Sequence, residues 1–207
     1  MATGYPVTFN VPRPEKFERP QVVLRILVIV LLSILAGAVG WIFGVLYLAI
    51  PVLAAVFISQ GGGEAYFKDT KMPMILRWYL ALYCYLAVLI DRFPTEEPEN
   101  IISFEVRPSG SPTVGSALLR LIVSIPSAFV LALLGIVGAV IWVIAVVSIL
   151  IQENYSTGLY DFQLGIMRWQ ARLLGYHASL VDEYPPFAVD TGPEQSEPGE
   201  PSPAPTA

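Results

Sequence analysis

The sequence contains one cysteine and one histidine among 207 residues. The single cysteine, Cys84, cannot form a disulfide within the chain or a zinc site built from several cysteines. The single histidine, His177, lacks the further ligands of a metal centre and the neighbours of a catalytic triad. No Gly-x-Ser-x-Gly elbow and no Walker-type phosphate loop is present. We therefore expect a protein that is not an enzyme and that uses no metal and no cofactor.

Charged residues are scarce: they make up 14% of the chain, against about a quarter in typical soluble domains. They are missing from two long runs, Ile26–Gly63 and Leu121–Gln152. Apolar stretches of about 18 residues or more are typical of membrane spans. We therefore predict a mainly α-helical integral membrane protein. The segment before the first run, Met1–Pro20, has no continuous apolar core of a signal peptide, so we expect the run to be an uncleaved anchor.

A basic stripe is also missing, which gives no support to nucleic-acid binding. The formal net charge of −5 comes largely from the C-terminal end of the chain. The segment 188–207 carries four acidic residues, five prolines and no Lys or Arg. A segment of this composition cannot bury enough apolar area to fold, so we predict a disordered, acidic, proline-rich tail over 188–207.

The sequence repeats itself, in two blocks with different offsets. Segments matched at an offset of 95 residues are Val7–Val11 with Ile102–Val106, and Leu24 and Arg25 with Leu119 and Arg120. Positions matched at an offset of 91 residues are Ile75–Trp78 with Ile166–Trp169, Tyr85 with Tyr176, Asp91 with Asp182, and Pro94 with Pro185. We predict a tandem duplication of one unit, with the first unit at 1–94 and the second unit at 95–187.

Each unit has three parts in the predicted architecture. The first part is a short strand, because apolar and polar residues alternate in Val7–Val11 and in Ile102–Val106. The two strands could pair as a small ribbon that joins the units. The second part is the charge-free hydrophobic run. The third part is the segment around the repeated Arg-Trp pair.

The length of the hydrophobic runs favours helical hairpins. A single helix of about 35 residues would be ~50 Å long, whereas the hydrocarbon core of a bilayer is ~30 Å thick. Paired glycines at Gly37–Gly40 and Gly135–Gly138 mark the predicted turns. One long helix in each unit is the alternative. Short hairpin arms could also enter the bilayer deeply without crossing it.

Lys and Arg residues occur in every segment outside the runs and are missing at the predicted turns. Under the positive-inside rule, all these charged segments belong on the cytoplasmic side. Each run would then cross the bilayer an even number of times, which again favours the hairpin. We predict a multi-pass protein of the plasma membrane with its N- and C-termini in the cytoplasm.

The Arg-Trp segment of the second unit predicts an amphipathic helix, because its apolar residues recur at spacings of three and four. These residues are Phe162, Ile166, Trp169, Leu173, Tyr176 and Leu180, and the residues on the other faces are Gln163, Gln170, Arg172 and Ser179. Such a helix lies in the membrane interface, with Trp and Tyr at headgroup depth and Arg towards phosphates. The corresponding segment 72–90 is more apolar, and a third membrane span is the alternative there.

The end of the second unit resembles a known family. The motifs that carry the resemblance are Thr157–Phe162, Gly165–Trp169, Arg172, Tyr176 and Asp182–Phe187. Over about residues 102–187 the sequence is similar to DUF4389, a family of bacterial membrane proteins, and the first unit looks like a degenerate copy. The resemblance implies a bacterial inner-membrane protein and implies no activity. The chain departs from the family at Leu159 and Tyr160, where members usually carry a basic residue and a proline.

The charged and aromatic residues of the two units are the candidate site residues. They are Arg25, Arg77, Trp78, Asp91, Arg120, Arg168, Trp169, Arg172 and Asp182. Arginine at an interface can reach lipid phosphates, and tryptophan can fix the depth of a helix, so the set could bind lipid headgroups or another anionic ligand. The residues could instead be structural anchors, with each aspartate capping a helix end or pairing with a nearby arginine. Duplication favours the structural role.

We expect a scaffold or accessory subunit of a membrane complex, with membrane lipids, other proteins or further copies of the chain as partners. A small channel or transporter component is the alternative, although the runs contain no ionisable residue that would mark a pathway. A lipid-binding membrane protein is a third reading. An oligomer with a polar seam would favour transport, and co-purification with one complex would favour the accessory role.

Overall fold

The computed structural model describes residues 5–36, 39–95 and 97–190. Within these residues the chain is mainly α-helical. The strands are β1 (Val7–Asn10) and β2 (Ser103–Val106). The helices are α1 (Arg19–Ala36), α2 (Val39–Asp69), α3 (Met72–Leu86), α4 (Val114–Val123), α5 (Ile125–Gln152) and α6 (Thr157–His177), with a 3-10 turn at Pro98–Asn100. The predicted tail lies outside the described residues from residue 191 onward.

β1 and β2 form an antiparallel ribbon, which confirms the strands and the pairing predicted from the alternating pattern. Phe9 lies opposite Phe104, and Val7 lies opposite Val106. Val7, Phe9 and Phe104 are buried, and β1 packs on α6. An isolated two-stranded ribbon is marginal in water. Its stability therefore comes from the apolar face that it buries against this helix.

Gly175 lets the ribbon approach α6 closely, since an added Cβ would lie 2.8 Å from Cγ2 of Val7. Replacing Gly175 by leucine is expected to lower the free energy of unfolding by about 1–3 kcal/mol, because the side chain must displace the ribbon. The control is Gly115→Leu in α4, where nothing lies within 4 Å of the added Cβ. Thermal unfolding in detergent measures both variants, and equal losses would contradict this packing.

The predicted hairpin of the second unit is wrong. α5 is one helix of 28 residues that runs through Gly135 and Gly138. Hydrogen bonds from Ser124 N to Arg120 O and from Ala128 N to Ser124 O continue the helical pattern from α4 into α5. A reversal inside an apolar run would leave backbone N–H and C=O groups without partners, and glycines supply none. The hydrophobic run 121–152 therefore has the long helix that was the alternative to the hairpin.

In the first unit the predicted turn falls on Gly37–Gly40, and residues 37 and 38 lie outside the described residues. α1 ends at Ala36 and α2 begins at Val39. α2 then continues to Asp69 and bends at Gly62, where φ is 78° and ψ is 173°. Only glycine adopts such a conformation readily, so the bend falls within the glycine triplet 61–63.

α2 packs along α4 in the antiparallel sense. The hydroxyl of Tyr47, early in α2, donates to Oγ of Ser124 at the end of α4 at 2.6 Å. Gly63, late in α2, packs against Pro112 just before α4 begins. The two helices therefore run in opposite directions over the whole length of α4.

α1 packs along α5, also in the antiparallel sense. At the start of α1, Arg19 Nη2 donates to the carbonyl of Ile151 near the end of α5, at 3.0 Å. Further along, Ile29 and Trp142 line the same cavity. Because α4 and α5 continue each other, α1 and α2 run in one direction beside them and are not the two arms of a hairpin.

The predicted interfacial helix is α6, and the structure buries it on almost all sides. Gln163, Arg168 and Arg172 are buried, so the prediction of an exposed polar face is wrong. Arg168 Nη2 donates to Oδ1 of Asn10 in the ribbon at 2.9 Å, and Arg172 Nη1 donates to Oδ2 of Asp190 at 2.5 Å. The polar face is therefore covered by the ribbon and by the folded C-terminal segment, which reaches at least to Asp190.

Apolar side chains cover the outer surfaces of α1, α2, α4 and α5. More than half of the surface is exposed for Val23, Leu27, Val30, Leu31, Ile34, Leu48, Leu119, Ile122, Ile125, Phe129, Ile136, Val140, Val143 and Ile151. Two helical stretches, Tyr47–Asp69 and Ile125–Gln152, are long and apolar enough to cross a membrane. α3 has 15 residues, fewer than the about 17–25 of a span, so it is too short to be the third span considered for 72–90.

Candidate functional site

Arg120 of α4 is buried, with 4% of its surface exposed, and it holds the C-terminal end of α6. Its Nη1 donates to the carbonyls of Tyr176 and Val181, both at 2.5 Å. Its Nη2 donates to Oδ1 of Asp182 at 2.5 Å. The guanidinium carbon also lies 4.4 Å from the centre of the Tyr176 ring, within the range of a cation–π contact.

Arg25 of α1 is fully buried and holds the end of α3 in the same manner. Its Nε donates to the carbonyl of Tyr85 at 2.5 Å, and its Nη2 donates to the carbonyl of Ile90 at 2.8 Å. The guanidinium carbon lies 4.5 Å from the centre of the Tyr85 ring. Asp91 differs from Asp182, because its Oδ1 accepts a hydrogen bond from the backbone N–H of Glu18, at the start of α1.

Both arginines thus act at the C-terminus of a helix, where the last carbonyls lack partners within the helix and favour a cation. Just beyond each helix a residue other than glycine has a positive φ: 63° at Val88 and 58° at Ser179. This conformation turns the chain, so that a later carbonyl reaches the same guanidinium. Val88 and Ser179 stand 91 residues apart, the offset already found in the sequence.

Arg77 and Arg168 each bind one strand of the ribbon, Arg77 the strand β2 and Arg168 the strand β1. Arg77, on α3, donates from Nε to the carbonyl of Phe104 in β2 at 3.1 Å and from Nη1 to Glu99 at 2.6 Å. Arg168, on α6, donates from Nε to the carbonyl of Phe9 in β1 at 3.4 Å. Arg77, which lies in 1–94, therefore contacts the strand in 95–187, and Arg168, which lies in 95–187, contacts the strand in 1–94.

The two repeated tryptophans have different surroundings. Trp78 is 41% exposed on α3. Trp169 is buried on α6, with its ring centre 5.4 Å from that of Phe187. The candidate residues form separate clusters rather than one site. Arg25 donates to the carbonyl of Asp91 at 3.2 Å, and Arg120 pairs with Asp182. Arg168 and Arg172 both bind Asp190 in the C-terminal segment. The exposed ring of Trp78 belongs to none of these clusters.

A buried polar cluster of Tyr47, Ser124 and His177 was not predicted. The Tyr47 ring stacks on the His177 imidazole, with centroids 3.9 Å apart. His177 Nε2 donates to the Tyr47 carbonyl at 2.8 Å, so Nδ1 is the unprotonated nitrogen that faces Ser124 Oγ at 3.0 Å. Ser124 and His177 are 53 residues apart, and no local motif links them. Both side chains are fully buried, so the serine has no access to a substrate as a nucleophile.

Burial lowers the pKa of His177 to about 4, since transfer of the imidazolium out of water is unfavourable; Arg120 lowers it further, and the hydrogen bond to the Tyr47 carbonyl opposes this. The histidine is therefore neutral at pH 7 and acts as a hydrogen-bonding spacer between α2, α4 and α6. In the described ranges, no three His, Cys, Asp or Glu side chains come together as a metal site would require.

Over residues 5–36, 39–95 and 97–190, the fold and these clusters define a mainly α-helical protein in which two helices are long and apolar enough to cross a membrane. Residues 115–189 match the model of a family described as a domain of unknown function, DUF4389. The resemblance to DUF4389 predicted from the motifs is therefore confirmed over residues 115–189. Comparison with curated proteins and with solved structures finds no match to the chain.

Proposed function

We propose that the chain is a non-enzymatic integral protein of the bacterial inner membrane and serves as a scaffold or accessory subunit of a membrane complex. The observation that carries this proposal is the apolar outer surface shared by α1, α2, α4 and α5. The largest apolar patch on a soluble monomer is typically a few hundred Å². A surface that extends along four helices instead suits the hydrocarbon of a bilayer.

The contacts of the ribbon support a common side for both ends of the α4–α5 helix. Glu153, just after α5, pairs with Lys16 at 2.7 Å between Oε2 and Nζ. Lys16 is six residues beyond β1, and α4 begins eight residues beyond β2. Fully extended, these links would be about 21 Å and about 28 Å long. Both are shorter than the ~30 Å hydrocarbon core.

The position of both helix ends on one side of the membrane limits how often the chain can cross the bilayer. One complete crossing by each unit would separate β1 from β2, whereas the two strands pair. A multi-pass arrangement would need two crossings by each run, and α5 has no turn at which to reverse. We therefore propose that the long helices are immersed in the bilayer from the cytoplasmic side, with both termini and the charged segments in the cytoplasm, in keeping with the positive-inside rule.

We also propose that 1–94 and 95–187 are two copies of one unit, followed by the acidic tail. Phe9 pairs with Phe104, its own counterpart at the offset of 95, which supports a twofold relation centred on this pair. The equivalent contacts of Arg25 and Arg120 with helix ends support the same relation. Because these guanidiniums bind backbone carbonyls in the interior, the contacts favour structural anchors over a headgroup site.

Cysteine labelling tests the proposed sidedness. In a Cys84→Ser background, Ser109→Cys and Ile136→Cys are treated with a membrane-impermeant maleimide, on intact cells and on inverted vesicles. We expect Ser109→Cys to react only in inverted vesicles, because it follows the cytoplasmic ribbon. We expect Ile136→Cys, at a side chain that is 66% exposed on α5, to react in neither sample, because hydrocarbon excludes the reagent.

Glu105→Cys on the exposed side of β2 is the matched control and should behave like Ser109→Cys. Labelling of Ile136→Cys from outside intact cells would show that α5 crosses the bilayer. Labelling of Ser109→Cys from outside would overturn the common cytoplasmic side. Recovery of the chain in the soluble fraction would overturn the membrane location itself.

The accessory role is tested separately with a photo-crosslinking amino acid at Glu105 or Ile136 in native membranes. We expect one discrete protein adduct from the Glu105 site, which faces the cytoplasm, and lipid adducts from the Ile136 site. A chain that forms no protein adduct at either site and purifies as a monomer would contradict the accessory role and leave the membrane location intact.

A further inference from the structure

A cavity of about 290 Å³ lies between α1, α3, α5 and α6. Apolar side chains line most of it: Ile29, Leu86, Ile166 and Met167, together with the indole ring of Trp142. The N–H of Trp142 already has a partner, since it donates to the carbonyl of Leu86 at 2.8 Å. Ligand pockets are mostly apolar clefts of about 300–1,000 Å³ with a few polar groups. The cavity therefore suits a small apolar ligand.

One polar side chain lines this cavity without a partner for its oxygen. Gln163 is 9% exposed, and its Oε1 accepts no hydrogen bond from any residue that the structure describes. The amide lies against Gly138 of α5, where an added Cβ would be 3.1 Å from Oε1. A buried oxygen without a donor is unfavourable and calls for an explanation. At the offset of 91 residues the apolar Met72 is buried instead, so the fold itself has no general need for an amide here.

The mouth of the cavity lies on the apolar outer surface of α5. Gly135 and Ala139 both line the cavity and are exposed. Their neighbours Ile136 and Val140 are exposed apolar side chains. Under the proposed function this surface faces hydrocarbon, so a ligand that enters the cavity must dissolve in lipid.

We propose that this cavity binds a neutral lipid alcohol, whose hydroxyl donates to Gln163 Oε1 and whose chain lies beside Trp142. An amide oxygen is an acceptor, so the ligand must bring the donor. A charged headgroup is not suited, because none of the described residues that line the cavity is charged. Entry from hydrocarbon rests on the proposed membrane location, whereas binding itself is measured in detergent. A protein that binds no ligand in detergent would therefore leave the proposed membrane location intact, and a protein found outside the membrane would leave the binding result intact.

Bromine quenching of Trp142 tests the proposal on the full chain purified in detergent. Trp41, Trp78 and Trp169 are replaced by phenylalanine, so that Trp142 is the single fluorophore. The probes are 6-bromo-1-hexanol and 1-bromohexane, which differ in the hydroxyl. We expect saturable quenching by both probes and about three- to tenfold tighter binding of the alcohol, the ratio that one net hydrogen bond gives.

The Gln163→Leu variant should bind both probes with equal affinity and unfold at the same or a higher temperature, because it removes an unpaired buried amide. Gln152→Leu, at the exposed end of α5, is the matched control and should keep the preference for the alcohol. Gly138→Leu should abolish saturable quenching by filling the cavity. Three results would each overturn the proposal. The parent chain could bind both probes with equal affinity, or its quenching could be linear and unchanged in Gly138→Leu. The preference for the alcohol could also persist in Gln163→Leu.

Discussion

Replacing Arg120 by methionine is expected to lower the free energy of unfolding by about 3–5 kcal/mol, since each hydrogen bond to a charged group contributes about 1.5–3 kcal/mol. The change removes one of the two donors to the Tyr176 carbonyl, which keeps the N–H of Ser179, and removes the Arg120 donor to the Val181 carbonyl. It also leaves the Asp182 carboxylate without its cation. In a chain of this size the loss corresponds to a fall of roughly 6–20 °C in the midpoint of thermal unfolding. Circular dichroism of the protein in detergent measures it.

Arg92→Met is the control, because the Arg92 side chain is 80% exposed and its nearest carboxylate oxygen, on Glu18, is 3.7 Å away. Exposed ion pairs contribute about 0–1 kcal/mol, so this variant should unfold close to the parent chain. Arg25→Met should behave like Arg120→Met, since Arg25 holds the end of α3 in the same way. Unfolding of Arg120→Met within about 2 °C of the parent would contradict the anchoring role.

Stability should also fall as the pH falls from about 6.5 to about 4. The pKa of His177 in the folded chain is about 4, whereas an unfolded histidine has a pKa of about 6.5. Between these values the unfolded chain binds the proton and the folded chain does not, so protonation favours unfolding. Across the whole window the contribution of this histidine is about 3 kcal/mol, which thermal unfolding at several pH values measures.

His177 is the only histidine in the sequence, so His177→Gln isolates its contribution. Glutamine does not titrate, and its amide can still donate to the Tyr47 carbonyl. We expect the difference in stability between the two chains to change through the window from pH 6.5 to 4 and to be constant above pH 7. Parallel curves over the whole range would mean that the imidazole titrates equally in the folded and unfolded chains.

The local sequence pattern was sufficient to predict the two strands. The alternation of apolar and polar residues identified both strands, and the match of Phe9 with Phe104 in the sequence indicated that they pair. The internal repeat also singled out Arg25 and Arg120, which match at the offset of 95 residues. Burial of these side chains could not be predicted, since an arginine that follows an apolar leucine looks the same at a membrane surface and in a core.

The errors concern features that depend on distant segments. Gly135 and Gly138 suggested a reversal, whereas Gly138 allows the amide of Gln163 to lie against α5. The polar face of α6 suggested exposure at the membrane interface, whereas the ribbon and the segment ending at Asp190 cover it. Which segment covers a helix face is set by tertiary packing. No periodicity within the helix encodes it.

The contacts of the ribbon with Arg77 and Arg168 have a consequence for biosynthesis. Asn10 of β1 bonds with Arg168, a residue translated 158 positions later. At about 5–20 residues per second, the strand waits roughly 8–30 s for this partner after it leaves the ribosome. The backbone partner of β1 is β2, in which Phe104 pairs with Phe9 and is translated 95 positions after it. Until β2 emerges, the backbone N–H and C=O groups of β1 form an unpaired edge that other strands could join. The N-terminal strand is therefore the segment most in need of protection in the nascent chain.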